Sequence, residues 1–239
     1  MILLLAGTAE ARALATALAA RQVPVLASLA GAVREPKTLP VPTRIGGFGG
    51  AAGFVACLQA HAITKVIDAT HPFAARITAR TAELCQQGAL PLLRLERRGW
   101  QPGPGDRWSW AADAAEAMAL IPPGARVFLA TGRQSLPGFA GLDATAFARV
   151  IDPPEGLFPL RGAWIIGRPP FALADEIALF GQLGITHLVA KDAGGAGNRA
   201  KLDAARALGL AVVLLRRPQP WPGLVVVERV EEALAWALA

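Results

Sequence analysis

Short, continuous apolar runs alternate along this chain with stretches whose apolar residues recur at helical spacing. Met1-Ile2-Leu3-Leu4-Leu5 opens the pattern without a polar face, as expected of a strand buried on both sides of a parallel sheet. Ala6-Gly7-Thr8 then turns the chain, and Ala-rich sequence to Ala20 reads as a helix with Leu14 and Leu18 on one face. Further strands are expected at 23–28, 65–68, 89–96, 126–130, 147–151, 164–166, 187–190 and 211–218, with a short one at Arg44-Ile45. Helical spacing covers 53–60, the stretch after Ala74, 113–120, 175–183, the segment around Lys201, Leu202 and Leu208, and a terminal amphipathic helix at 230–238. Strands alternating with helices predict an α/β fold built on parallel sheets. The turn-rich run Arg97-Arg98-Gly99-Trp100-Gln101-Pro102-Gly103-Pro104-Gly105-Asp106 breaks the pattern, which predicts one domain at 1–96 and another at 97–239.

Open parallel sheets bind ligands at the carboxyl ends of their strands, so the turns after the apolar runs are the places to look for chemistry. Gly7 and Thr8 open the first helix, where small residues admit a ligand to the backbone and unpaired N–H groups attract phosphate. The three spaced glycines of the dinucleotide fingerprint are absent, and an ordinary strand-to-helix turn has the same pattern. Ser28 ends the second strand, where an NAD-selective site usually carries an acid; with Gly31 for the turn and Arg34 to pair with a 2′-phosphate, these residues favour NADP. A solvated loop arginine is the competing account of Arg34. Gly46-Gly47-Phe48-Gly49-Gly50 permits unusual backbone angles and close ligand approach before the next helix. Thr70 and His71 follow the 65–68 strand, and Arg76 and Arg80 lie four apart on the next helix, facing an anion or water.

The second half repeats the device. Thr131-Gly132-Arg133 and Gly167-Arg168 each present Gly-Arg after a strand, and Lys191-Asp192-Ala193-Gly194-Gly195-Ala196-Gly197-Asn198 forms a second glycine-rich cradle with Lys201 just inside the next helix. It is not the phosphate loop of ATPases. Convergent Arg133, Arg168, Lys191 and Lys201 suit a substrate bearing several carboxylates, while solvated charges or helix caps account for any one of them singly.

The charge balance narrows the partner. The net charge is +6, carried mostly by Arg, and it is dispersed without an aromatic stacking array, which favours a compact polyanion over nucleic acid. Though 53% of residues are hydrophobic, charge, Gly and Pro interrupt every stretch before it could span a membrane, and no secretory pattern precedes the first run, so a cytoplasmic protein is expected. Cys57 and Cys85 have no partners at metal-ligand spacing and read as buried thiols, with neither disulfide nor zinc expected.

Taken together, Ala6-Gly7-Thr8-Ala9-Glu10-Ala11-Arg12, Ser28-Leu29-Ala30-Gly31, Asp68-Ala69-Thr70-His71-Pro72-Phe73-Ala74, Lys191-Asp192-Ala193-Gly194-Gly195 and Arg217-Pro218 resemble the precorrin-6x reductase family, the precorrin-6A reductases of cobalamin biosynthesis. Ala6 stands where the family commonly has glycine, and Ala193 where it commonly has serine. The resemblance implies two Rossmann-like domains, NADPH on the first, and an acidic tetrapyrrole in the cleft between them. On that basis Gly7, Thr8, Glu10, Ala11, Ser28, Gly31, Arg34, Gly46, Gly47, Phe48, Gly50, Thr70, His71 and Pro72 are assigned to the cofactor. Arg76, Arg133, Arg168, Lys191, Asp192, Gly194, Gly195 and Lys201 are assigned to the substrate. The implied reaction is hydride transfer from NADPH to a macrocycle double bond, followed by protonation of the neighbouring carbon. Asp192, His71 and bound water are the candidate proton sources; with no tyrosine in the chain, the Tyr-Lys mechanism of short-chain dehydrogenases is excluded in its usual form. A cobalt-containing substrate and a non-catalytic NADP-binding sensor are the alternatives, and the oligomeric state is left open.

Overall fold

The computed structural model describes residues 1–31, 38–152 and 154–239. The chain forms two compact units, Met1–Arg98 with Pro218–Ala239, and Gly99–Arg217.

In the first unit, β1 (Ile2–Leu5) leads through α1 (Ala9–Ala19) to β2 (Val25–Leu29) and β3 (Thr43–Ile45). Next come α2 (Ala51–Ala60), β4 (Lys65–Asp68), α3 (Ala75–Gln87) and β5 (Leu92–Leu95). The expected full burial of β1 is realised by splitting its alternate side chains between two helical layers. Ile2 and Leu4 join Leu14 and Leu18 of α1, whereas Leu3 and Leu5 pack with Phe54 of α2 and Cys85 of α3. Burial pushes the Cys85 thiol up to about 11, with the Asp68 charge adding to the effect, so it stays protonated at neutral pH.

The second unit holds β6 (Trp108–Ala111), α4 (Ala114–Ala119), β7 (Ala125–Ala130), β8 (Ala144–Val150), β9 (Gly162–Ile166), α5 (Leu173–Gln182), β10 (His187–Lys191), α6 (Ala200–Ala207) and β11 (Ala211–Leu215). The chain then returns to the first unit as β12 (Val225–Val227) and α7 (Val230–Leu238). The strand orders are β12-β5-β4-β1-β2-β3 and β6-β11-β10-β7-β8-β9, with every pairing parallel. Both sheets wind the same way from a central strand, β1 or β7. They differ in where the outermost strand comes from, since β6 precedes its sheet in the chain and β12 follows both sheets.

The α/β class is as expected, but the domain division at 97–239 is corrected. Val225, Val226 and Val227 pair with Leu93, Arg94 and Leu95, and Ala233 and Ala237 of α7 are buried in the same core as Leu14 and Leu18. Local patterning gave no sign of this return, because a strand of three half-exposed valines on a sheet edge lacks the long apolar run of a central strand. The strand β6 was likewise not anticipated, its Trp-Ser-Trp-Ala being short and following the turn-rich segment. No helix among the described residues is long and apolar enough to cross a membrane.

Truncation after Arg217 removes β12 and α7 and should loosen the first unit selectively. Hydrogen exchange is expected to show lost protection in β1 and β4 with β7 and β10 still protected; retained protection in β1 would contradict the assignment of the C-terminal segment to this core.

Candidate functional site

Because every strand of the first unit runs in the same direction, the turns after β1, β2, β3, β4 and β5 share one sheet edge. Gly7 there has a φ of 148°, and a Cβ built on it would meet no protein atom within 4 Å. The same open space lies over Gly46, Gly47, Gly49 and Gly50. Backbone with nothing above it, beside the N-terminus of α1, can approach a phosphate closely. Thr8 caps that helix: its hydroxyl accepts from the Ala11 N–H at 3.1 Å and donates to the Ala69 carbonyl at 2.8 Å. It therefore ties the first turn to the one after β4, and its proton is already engaged. Glu10 pairs with Arg97 at 2.6 Å, while Ala11 lies on the buried face of α1, wholly withdrawn from solvent.

Ser28 is 6% exposed, and its hydroxyl accepts from Arg44 Nη1 at 2.8 Å. Arg44 also donates to the Gly46 and Gly47 carbonyls at 2.9 and 2.8 Å and lies 4.0 Å from the centre of the Phe48 ring. Gly31 turns the chain with a φ of 73°. Arg34 lies outside the described residues.

Beneath the turn after β4 is a buried ionic network. Asp68, fully buried, lies 2.7 Å from Arg94 Nη1 and accepts from the Thr70 amide, the Thr70 hydroxyl and the Thr78 hydroxyl. Arg94, 3% exposed, also pairs with Glu96 and donates to the Thr70 hydroxyl and the His71 carbonyl. An isolated charge in such surroundings would be costly, so the pair and its hydroxyl partners hold one another in place. The network fixes Thr70, His71 and Pro72 from below. His71 Nδ1 accepts the Phe73 N–H at 3.2 Å, which puts the proton of the neutral ring on Nε2. Pro72, Thr78, Arg94 and Glu96 also line a cavity of about 140 Å³ with Pro218 and Trp221 of the returning segment.

In the second unit the turns after β7, β9 and β10 again share a sheet edge. They bring Arg133, Arg168 and Lys191 to that edge, with Lys201 in the first turn of α6. Gly132 has a φ of 81° with open space where a Cβ would stand. Arg133 is exposed, and Arg168 is 3.3 Å from Asp152. Burial lowers the Lys191 pKa, which weakens its hold on its proton. The Asp192 carboxylate accepts the Trp100 amide at 2.9 Å and lies 3.4 Å from Arg217 Nε. A Cβ on Gly99 would come within 2.4 Å of that carboxylate, so a larger residue there would have to displace the Asp192 side chain from its partners. The Trp100 indole donates to the Gly195 carbonyl at 2.8 Å, and Lys201 lies 5.1 Å above the Trp100 ring. Gly194 and Gly195, with φ of 66° and 75°, are thus part of a loop clasped by Trp100 and Arg217. Arg76 belongs to the first unit instead, exposed on α3.

Sequence reasoning did not single out Arg44, Arg94, Glu96 or Arg97. A signal for Arg94 exists in Leu92-Leu93-Arg94-Leu95, where a charge within a buried strand demands a buried partner. Arg44 carries no comparable signal, because its partners are set by the pairing of β3 with β2.

Two doubly wound parallel sheets with open glycine turns at their carboxyl edges are the architecture of an α/β protein that binds its ligands at the strand ends. The model of the precorrin-6x reductase family CbiJ/CobK matches residues 1–238. A precorrin-6A reductase of Rhodococcus erythropolis is 49% identical over 98% of this chain and 96% of its own length. One from Rhodobacter capsulatus is 44% identical over 98% of this chain and 94% of its own. The solved structure of a CobK precorrin-6A reductase superposes with a TM-score of 0.93 at 43% identity, covering 99% of this chain and 95% of that one. The chain belongs to the precorrin-6x reductase family and is an oxidoreductase.

Replacing Arg94 with Ala leaves Asp68 buried and uncompensated and should cost about 3–5 kcal/mol in denaturant unfolding. A loss below about 1 kcal/mol would show that Asp68 does not depend on its partner.

Proposed function

We propose that this reductase uses NADPH to reduce one double bond of the precorrin-6A macrocycle, giving precorrin-6B. The observation that carries the reading is the open glycine turn at Gly7, set against the N-terminus of α1 in a member of a reductase family. When bound, NADPH supplies the hydride, and a proton completes the addition at the neighbouring carbon. Gly7 and the Gly46-Gly47-Phe48-Gly49-Gly50 turn receive the dinucleotide, with the α1 dipole favouring its phosphates. The Asp68–Arg94 network holds Thr70 and His71 in one arrangement, which is what an orienting site requires. Among the side chains considered as proton sources, His71 has Nδ1 occupied as the acceptor of the Phe73 N–H, which leaves Nε2 to carry a proton, whereas the Asp192 carboxylate is held as an acceptor by the Trp100 amide. We assign the proton to His71 or to water beside it.

Arg133, Arg168, Lys191 and Lys201 bind carboxylates of the acidic tetrapyrrole. The metal-free macrocycle is preferred because relatives at 44% and 49% identity are precorrin-6A reductases. Incubation with NADPH and precorrin-6A should oxidise the nucleotide with formation of the dihydro product, and cobalt-precorrin-6A run in parallel should turn over more slowly. Nucleotide binding without turnover of either substrate would instead make the protein a sensor.

The lowered Lys191 pKa gives a pH signature. A carboxylate bound beside Lys191 favours its charged form and raises the pKa, so binding in the intervening pH window takes up a proton. Tetrapyrrole affinity should therefore fall as pH rises below the ordinary lysine range, and Lys191→Arg should flatten that fall. Lys191→Ala should weaken tetrapyrrole binding by about 1–3 kcal/mol while NADPH affinity holds; the reverse outcome would place Lys191 with the nucleotide.

A further inference from the structure

We propose that Arg44 and Arg80, gathered around Phe48, form the seat for the 2′-phosphate that distinguishes NADPH from NADH, an inference that rests on the cofactor reading above. Both side chains are partly withdrawn from water, yet neither meets a carboxylate among the described residues. By contrast Arg94, Arg97, Arg149, Arg206 and Arg217 each face one. All three hydrogen bonds of Arg44 go to neutral oxygens, on Ser28, Gly46 and Gly47. Those bonds aim the guanidinium without cancelling its charge, and a guanidinium has five N–H donors, so some remain for a ligand. The Arg80 guanidinium lies 5.9 Å from the Phe48 and Phe54 rings, and its buried Nε has no hydrogen-bond partner among the described residues. A buried donor left unmet is the exception in folded proteins and asks for an acceptor.

The place matches the charge. Arg44 lies on β3, beside the end of β2, where a dinucleotide's adenosine ribose comes to rest in a doubly wound sheet. The acid that would bind both ribose hydroxyls of NADH is replaced by Ser28, whose hydroxyl is in contact with Arg44. Phe48 is itself held firmly: its carbonyl sits where a Cβ on Gly53 of α2 would come within 1.7 Å, so only glycine lets the turn settle there. Phe48 and Phe54 meet edge to face at 4.9 Å, giving both cations a fixed aromatic platform. The α2 N-terminus, preceded by Gly50 with no side-chain cap, adds positive potential to the same turn.

The test compares 2′,5′-ADP with 5′-AMP by calorimetry on the full chain, as wild type and as Arg44→Ala, Arg44→Lys, Arg80→Ala and Arg34→Ala. The wild type should prefer 2′,5′-ADP. Arg44→Ala and Arg80→Ala should each cut that preference by on the order of tenfold while 5′-AMP affinity stays within about threefold, and Arg44→Lys should recover part of it. Equal loss for both ligands would reveal a merely structural role and overturn the seat. It is overturned equally if the preference moves only with Arg34→Ala, or if the wild type binds the two ligands alike. A wild type that binds neither these ligands nor NADPH would bring down the cofactor reading as well.

Discussion

A parallel strand covered by helices on both faces can present chemistry only at its ends. That constraint governs both units, because β1 and β7 lie at the centre of six-stranded parallel sheets and keep their apolar side chains from Ile2 to Leu5 and from Val127 to Leu129 in the cores. Gly7, Gly46, Gly47, Gly132, Thr8, Thr70, Arg44 and Lys191 lie at the carboxyl ends, where the turns leave the sheet. The amino ends carry none of the proposed cofactor or substrate groups.

Within the first unit the turns are tied to one another by polar contacts. The Thr8 hydroxyl joins the turn after β1 to the one after β4, and Arg44 joins the end of β2 to the turn after β3. Asp68 and Arg94 extend this connection beneath Thr70 and His71, at a depth where neither charge could remain alone. Turns held this firmly suit a reductase, because much of what such a protein contributes is the position of the reacting groups. In the second unit Trp100 and Arg217 clasp the turn after β10 in a comparable way, the Trp100 amide donating to the Asp192 carboxylate and Arg217 Nε to the Asp192 carbonyl.

The same winding in both units does not make them equivalent. The turn after β1 opens a long helix with a threonine cap, whereas the turn after β7 leads into a short 3-10 helix, Arg133–Phe139, with Ser135 bonded back to Thr131 and Gly132. A long helix offers an aligned dipole to a dinucleotide phosphate, and the short one places exposed Arg133 at the edge instead. This difference supports dividing the two ligands between the units.

The chain's own residue pattern determined the α/β class, most of the strands and the glycine turns, because burial on both faces demands continuous apolar runs and sharp turns demand glycine. It also carried the family resemblance, whose motifs sit at strand ends in the folded chain. Tertiary structure alone decided that β12 and α7 complete the first unit, since three edge valines and a terminal helix do not name the sheet they join. It likewise decided that Arg44 meets Ser28 and that Arg94 meets Asp68, at sequence separations of 16 and 26 residues. Local sequence reports which side chains suit a buried or exposed place, but the partner of a buried charge is chosen by strand order and register, and those are properties of the whole sheet.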